Sequence, residues 1–135
     1  MVQRFDYLVI GSGIAGMSFA LKVANKGSVA LICKTSLQEA NTYYAQGGVA
    51  SVTNPIDDFE KHIQDTLIAG DGHCDRAAVE KVVKEAPAQI KELIEWGVKF
   101  DKTASGDFDL HREGGHSEFR ILHHKDNTGA EIQES

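Results

Sequence analysis

Residues 7–16 read Tyr-Leu-Val-Ile-Gly-Ser-Gly-Ile-Ala-Gly, an apolar run that feeds directly into a Gly-x-Gly-x-x-Gly turn. This junction constrains the fold more than any other feature. Gly11 permits the tight turn out of the strand, Gly13 lets the backbone come close to a pair of phosphates, and Gly16 lets the next helix pack closely on the sheet. The helix that follows (from Met17 through Ala24) offers free N–H groups and the positive end of its dipole to an anion. A lone glycine pattern is weak evidence. Framed by the strand Phe5 to Ile10 and a helix-compatible run, it predicts a dinucleotide site rather than a merely structural turn.

A chain of 135 residues suffices for one core and falls short of two ordinary domains. With 41% hydrophobic and 25% charged residues the composition is that of a globular protein. Its apolar runs are far shorter than the roughly 20 residues a bilayer crossing needs, so no membrane role is expected. No secretory leader is expected either. A formal charge of −6 without a basic stripe argues against nucleic-acid binding. Cys33 and Cys74 lie in unlike contexts and form neither a disulfide framework nor a metal pattern, which points to a reducing cytoplasm.

The fold class expected is α/β: a βαβ unit, a helical insertion, a short hairpin and an incomplete sheet. The first strand is placed at 6–10, a helix running to about Gly27, and a second strand at 29–33. Phe59, Ile63 and Leu67 recur on one face of a helix over 58–69, broken by Gly70-Asp71-Gly72. Asp75 is the expected N-cap of a longer helical stretch with Val79, Val82, Val83, Ile90, Leu93 and Ile94 inward, and Gly97 ends it as a C′ residue. Pro87 predicts a kink or two abutting helices. Residues 98–100 and 108–110 are expected to pair as a hairpin, and Asp126-Asn127-Thr128-Gly129 to open a last helix. Because further parallel strands would be needed to cover a dinucleotide, the chain reads as the amino-terminal piece (1–135) of a larger protein.

Lys34 stands where an NAD-binding unit carries an acidic residue for the ribose, although a strand-end lysine alone reads equally as solvated. The next segment, Asn41-Thr42-Tyr43-Tyr44-Ala45-Gln46-Gly47-Gly48, is polar and glycine-rich yet organised. With Gly11-Ser12-Gly13-Ile14-Ala15-Gly16 and Lys34, it resembles the flavoprotein family of L-aspartate oxidases and of succinate dehydrogenase and fumarate reductase flavoprotein subunits. The resemblance implies a Rossmann-like FAD-binding domain. It makes Gly11, Ser12, Gly13, Ile14, Ala15, Gly16, Lys34 and each residue from Asn41 to Gly48 cofactor-binding positions. Glycine pairs let backbone amides approach a flat ring, and such amides stabilise negative charge on it.

Respiratory members of that family carry a histidine, covalently joined to the flavin, where this chain has Asn41, so the resemblance implies non-covalent FAD and the L-aspartate oxidase branch. The stretches from Asp65 to Asp75 and from Trp96 to Asp101 resemble that branch too. So does Arg112-Glu113-Gly114-Gly115-His116-Ser117, followed by Arg120-Ile121-Leu122-His123 and Asp126-Asn127-Thr128-Gly129. There Glu113 is implied to orient the substrate by pairing with the ammonium group of aspartate; by residue type alone it reads as a solvated glutamate. Arg112 and His116 are candidates for the same pocket or for exposed roles. The histidines at 62, 73, 111, 123 and 124 do not show metal-ligand spacing, apart from a loose His73-Cys74-Asp75 cluster; they read as surface or packing residues, with His123 and His124 towards the far end of the flavin domain.

The implied reaction is oxidation of L-aspartate to iminoaspartate by FAD, with oxygen or fumarate as acceptor, at the start of de novo NAD biosynthesis. Quinolinate synthase is the implied consumer of the unstable product. The family's catalytic arginine and histidines belong to a capping domain, so no catalytic residue is expected within these 135 positions. The piece alone is expected to be inactive, to hold FAD weakly and to self-associate through its uncovered sheet. A fumarate-reductase-like dicarboxylate flavoenzyme and a non-catalytic nucleotide-binding module remain the alternatives.

Overall fold

The computed structural model describes residues 2–135. β1 (Tyr7–Ile10), α1 (Ile14–Val23) and β2 (Val29–Ile32) form a βαβ unit, the two strands pairing in parallel with Tyr7 opposite Val29 and Ile10 opposite Ile32. Alternation along β1 buries Val9 and leaves Leu8 and Ile10 outward. A Cβ on Gly16 would lie near the Val9 side chain, so α1 covers that face of the sheet. The opposite face stays uncovered: Leu8, Ile10 and Ile32 are all exposed.

A second layer is built from α2 (Phe59–Ala69) and α3 (Arg76–Glu95), which pack against each other, and from a three-stranded antiparallel sheet. That sheet has β5 (Ile121–Leu122) between β3 (Val49–Ala50) and β4 (Leu110–His111). Asp58 caps α2 by accepting from the Lys61 amide, and Asp75 caps α3 by accepting from the Ala77 and Ala78 amides, as the sequence predicts. Gly97 adopts φ +118° after α3; its amide donates to Ile94 O and the Val98 amide to Leu93 O. Those two bonds make a Schellman motif whose apolar partners, Leu93 and Val98, both enter the core. The core comprises Ile90, Leu93, Val98, Phe100 and Leu122, closed by Trp96, Phe108 and Ile132 among others. α4 (Thr128–Glu134) completes the chain. No helix among the described residues is long and apolar enough to cross a membrane.

Two expectations are corrected. Pro87 neither splits nor ends α3, which runs unbroken for 20 residues. Val83 on one side and Ile90 and Leu93 on the other are buried, and that packing keeps both halves in one helix rather than two abutting ones, at the expense of a single backbone hydrogen bond. The hairpin also differs. Residues 98–100 do not pair with 108–110 as strands; the hairpin forms further along, Lys102 bridging Phe108 with the Asp109 amide donating to Asp101 O and the Thr103 amide to Asp107 O, while β4 pairs with β5. Val98 and Phe100 are buried in the core instead.

Candidate functional site

The turn between β1 and α1 takes the form its glycines allow. Gly11 has φ +110°, a conformation that disfavours any side chain, and its amide donates to Ile32 O at 2.8 Å. A Cβ on Gly16 would overlap the Gly11 carbonyl oxygen. At Gly13 the situation is different: a Cβ there would meet only Thr42 Oγ1, at an ordinary 3.5 Å. The protein's own packing therefore does not require a glycine at 13, and the small residue leaves space on the open side of the turn.

Gly13 is also the N-cap of α1, and no side chain caps that helix. The Ile14 amide donates to Thr42 Oγ1 at 3.0 Å. The amides of Ala15 and Gly16 find no acceptor among the described residues. Two backbone donors and the positive helix end thus face the crevice at the carboxyl ends of β1 and β2, the place where doubly wound folds bind anionic groups.

Thr42 connects this turn to the second candidate segment. Residues 41–44 form a turn whose carbonyl groups receive α4: the Gly129 amide donates to Ala45 O at 2.9 Å, and a Cβ on Gly129 would overlap Thr42 O. From the other end of α4, Gln133 Nε2 donates to Ser12 O at 2.9 Å and to Leu37 O at 2.7 Å. Ser12 is buried in this junction. Gly48 lies so close to β5 that a Cβ would overlap Leu122 O and Ile121 Cγ2. The glycine turn, Thr42 and residues 45–48 therefore form one continuous backbone-lined wall.

Glu113 closes the far side of that wall. Its Oε1 lies 3.8 Å from where a Gly47 Cβ would stand, and it lines a polar cavity of about 450 Å³ with Gln46, Gly47, Gly48, His111 and His123. The Glu113 side chain forms no ion pair among the described residues. Arg112 and His116 do not line that cavity: the Arg112 guanidinium stands over the Phe119 ring at 5.3 Å, and His116 packs edge-on to His62. Lys34 and Asn41 are exposed, and Lys34 forms no ion pair among the described residues. Tyr44 is turned outward, its hydroxyl donating to Glu39 Oε1, which raises its pKa, while Tyr43 meets its ring edge-on.

Several supporting residues escape sequence reasoning. Arg120 is fully buried and makes a bidentate pair with Asp57, both bonds at 2.8 Å, and a further bond to Asp65 Oδ2. Asp65 also accepts from the Ser117 amide and hydroxyl. Burial opposes charge on Arg120, but these carboxylates outweigh it and raise the guanidinium pKa. The network ties α2 to the strand entering β5 and so holds the Glu113 loop. The only sequence signal was an arginine abutting an apolar pair, Ile121-Leu122. Gln133 carried none, because its partners lie far away in sequence.

Comparison with known proteins agrees with this geometry. A family model described as "FAD binding domain" matches residues 6–134. The chain is 51% identical over 133 residues to L-aspartate oxidase 2-b, chloroplastic, of Nicotiana tabacum, covering 98% of this chain and 20% of that protein. It is 49% identical over 138 residues to L-aspartate oxidase of Vibrio cholerae, covering 98% of this chain and 26% of that protein. Among solved structures, the Sdh1 complex of Mycobacterium smegmatis matches with TM-score 0.87 and 32% identity, covering 96% of this chain and 23% of that one. A quinol fumarate reductase of E. coli matches with TM-score 0.87 and 31% identity over the same shares. The chain thus spans between a fifth and about a quarter of these relatives' length.

Proposed function

The chain belongs to the FAD-binding domain family of succinate dehydrogenase and fumarate reductase flavoproteins, and from that premise we propose that it is the amino-terminal portion of an L-aspartate oxidase. FAD is the cofactor, held without a covalent bond since Asn41 offers no nucleophilic ring nitrogen. Its pyrophosphate would lie on the Gly11–Gly16 turn, against the free amides of Ala15 and Gly16. The backbone from Asn41 through Gly48 would run along the ring system, and Lys34 would face the adenosine end. The uncapped start of α1 and the room left at Gly13 support this fit.

When bound, FAD supplies a two-electron acceptor for the α-carbon hydride of L-aspartate. This chain's own contribution is positioning. Glu113, without an ion pair among the described residues and beside Gly47, would receive the substrate ammonium, orienting the α-carbon towards the ring. The product is iminoaspartate, with oxygen or fumarate as terminal acceptor; its lability in water makes quinolinate synthase the natural next enzyme in NAD biosynthesis. A reducing cytoplasm suits the two free thiols, Cys33 and Cys74.

One observation carries the reading: the Glu113 carboxylate, without an ion pair among the described residues, sits in the same cavity as the Gln46–Gly48 backbone. The deciding experiment is Glu113→Gln in the natural-length enzyme. Aspartate oxidation should fall by about 10²-fold, the effect of losing a charge-assisted pair worth roughly 3 kcal/mol, while fumarate reduction stays within about twofold. Equal losses in both reactions would favour the second reading, a dicarboxylate reductase, towards which the solved relatives lean.

A further inference from the structure

His123 is buried, with 7% of its surface exposed, and neither ring nitrogen has a hydrogen-bond partner among the described residues. An imidazole hidden in this way loses its bonds to water and gains none in return, which costs about 1–3 kcal/mol. The strand register explains what lies around it. β4 and β5 pair with His111 opposite Ile121 and Leu110 opposite Leu122, so continuing the ladder sets Asp109 opposite His123. Asp109 and His111 are two positions apart and share one face. His111 stacks on His123 with ring centroids 3.7 Å apart. The three side chains bring one donor atom each within 4.8 Å of one another.

We propose that Asp109, His111 and His123 form a binding site for a divalent first-row transition-metal ion of the Zn²⁺ class. Two imidazoles and one carboxylate are a donor set that suits such an ion. Donor atoms on a tetrahedral zinc stand about 3.4 Å apart, whereas His123 Nε2 and Asp109 Oδ2 are 3.8 Å apart. A contraction of a few tenths of an ångström therefore closes that edge. The larger adjustment falls to His111, which is exposed and free to turn on its χ angles.

An outer contact stands close by. Nδ1 of His123 faces Asp101 Oδ2 at 3.4 Å without bonding to it, while Nε2 faces Asp109. The Asp101 carboxylate is itself held by the Lys125 amide, which donates to it at 2.7 Å. With metal on Nε2, a small turn of the ring would let Nδ1–H donate to Asp101, the contact that fixes the ligating tautomer. The negative charges of Asp101 and Asp109 offset a dication. Three protein donors leave a position open towards the cavity that Gln46, Gly47 and Glu113 share. The site does not depend on flavin, so it stands or falls separately from the activity proposed above.

The test is calorimetric titration of the natural-length protein, first freed of metal by a chelator, with ZnCl₂ at neutral pH. The parent should take up one equivalent that Asp109→Ala and His111→Ala each weaken by at least about tenfold, and that His73→Ala leaves unchanged. Both substituted residues are exposed, so the metal-free variants should melt at the parent's temperature. Co²⁺ in place of Zn²⁺ should give visible absorption bands that vanish in His111→Ala. Absence of saturable zinc uptake, or uptake with equal affinity in the parent, Asp109→Ala and His111→Ala, overturns the proposal.

Discussion

The side-chain amide of Gln133 donates from Nε2 to the Ser12 carbonyl oxygen at 2.9 Å, joining positions 121 residues apart. The same nitrogen reaches Leu37 O, so one residue near the end of the chain fixes the backbone of the glycine turn and of the loop after β2. Gln133→Ala removes both bonds, each worth about 0.5–1.5 kcal/mol. FAD affinity is expected to fall about tenfold, read by flavin fluorescence titration. The loss should exceed the change in urea midpoint, because the turn relaxes without the domain unfolding.

Glycines 13 and 48 look alike in sequence but answer to different constraints. A Cβ on Gly13 has room, whereas one on Gly48 would overlap the backbone of β5. Gly13→Ala should leave the unfolding free energy within about 0.5 kcal/mol while abolishing flavin binding. Gly48→Ala should cost about 1–3 kcal/mol or more in stability. Denaturant titration alongside flavin titration separates the two.

Arg120 and Asp57 are both fully buried at their side chains. Removing one member leaves an uncompensated charge, so Arg120→Met is expected to destabilise the fold by about 3–5 kcal/mol. Replacing both together, Arg120→Met with Asp57→Leu, should recover most of that loss. Urea unfolding of the two singles and the double measures the coupling directly.

Stability should depend on pH in two windows. Burial, then the Arg120 cation and His116, hold the His62 pKa below its usual 6.5. As pH falls below that value the unfolded chain takes up a proton that the folded chain does not, so stability is lost with falling pH. His62→Gln should flatten the slope of unfolding free energy between about pH 7 and 5. Asp65 acts lower. Burial pushes its carboxyl up, but donation from the Ser117 amide, Arg120 and the Ser117 hydroxyl prevails and lowers it below 3.8. Its contribution is present above that value and disappears as pH falls through the depressed one. Asp65→Asn should remove that acid-limb dependence.

Local features were legible in the sequence wherever short-range chemistry decides. The strand-turn-helix over 7–23, the caps at Asp58 and Asp75 and the Gly97 stop all follow from steric freedom and capping within a few residues. The expected hairpin forms with its first arm displaced to Lys102 and its neighbours, because Val98 and Phe100 are taken into the core with Leu122. Pro87 was overruled by burial on both sides of it.

By itself the order of residues determined the glycine turn ahead of an uncapped helix, since both work through their own backbone. Only tertiary structure decided that Glu113 stands beside Gly47, that Arg120 is buried between two carboxylates and that His111 and His123 share a face with Asp109. Those juxtapositions depend on strand register and helix packing over long separations. Energy there comes from burying apolar area, which is indifferent to the polar groups it happens to bring together.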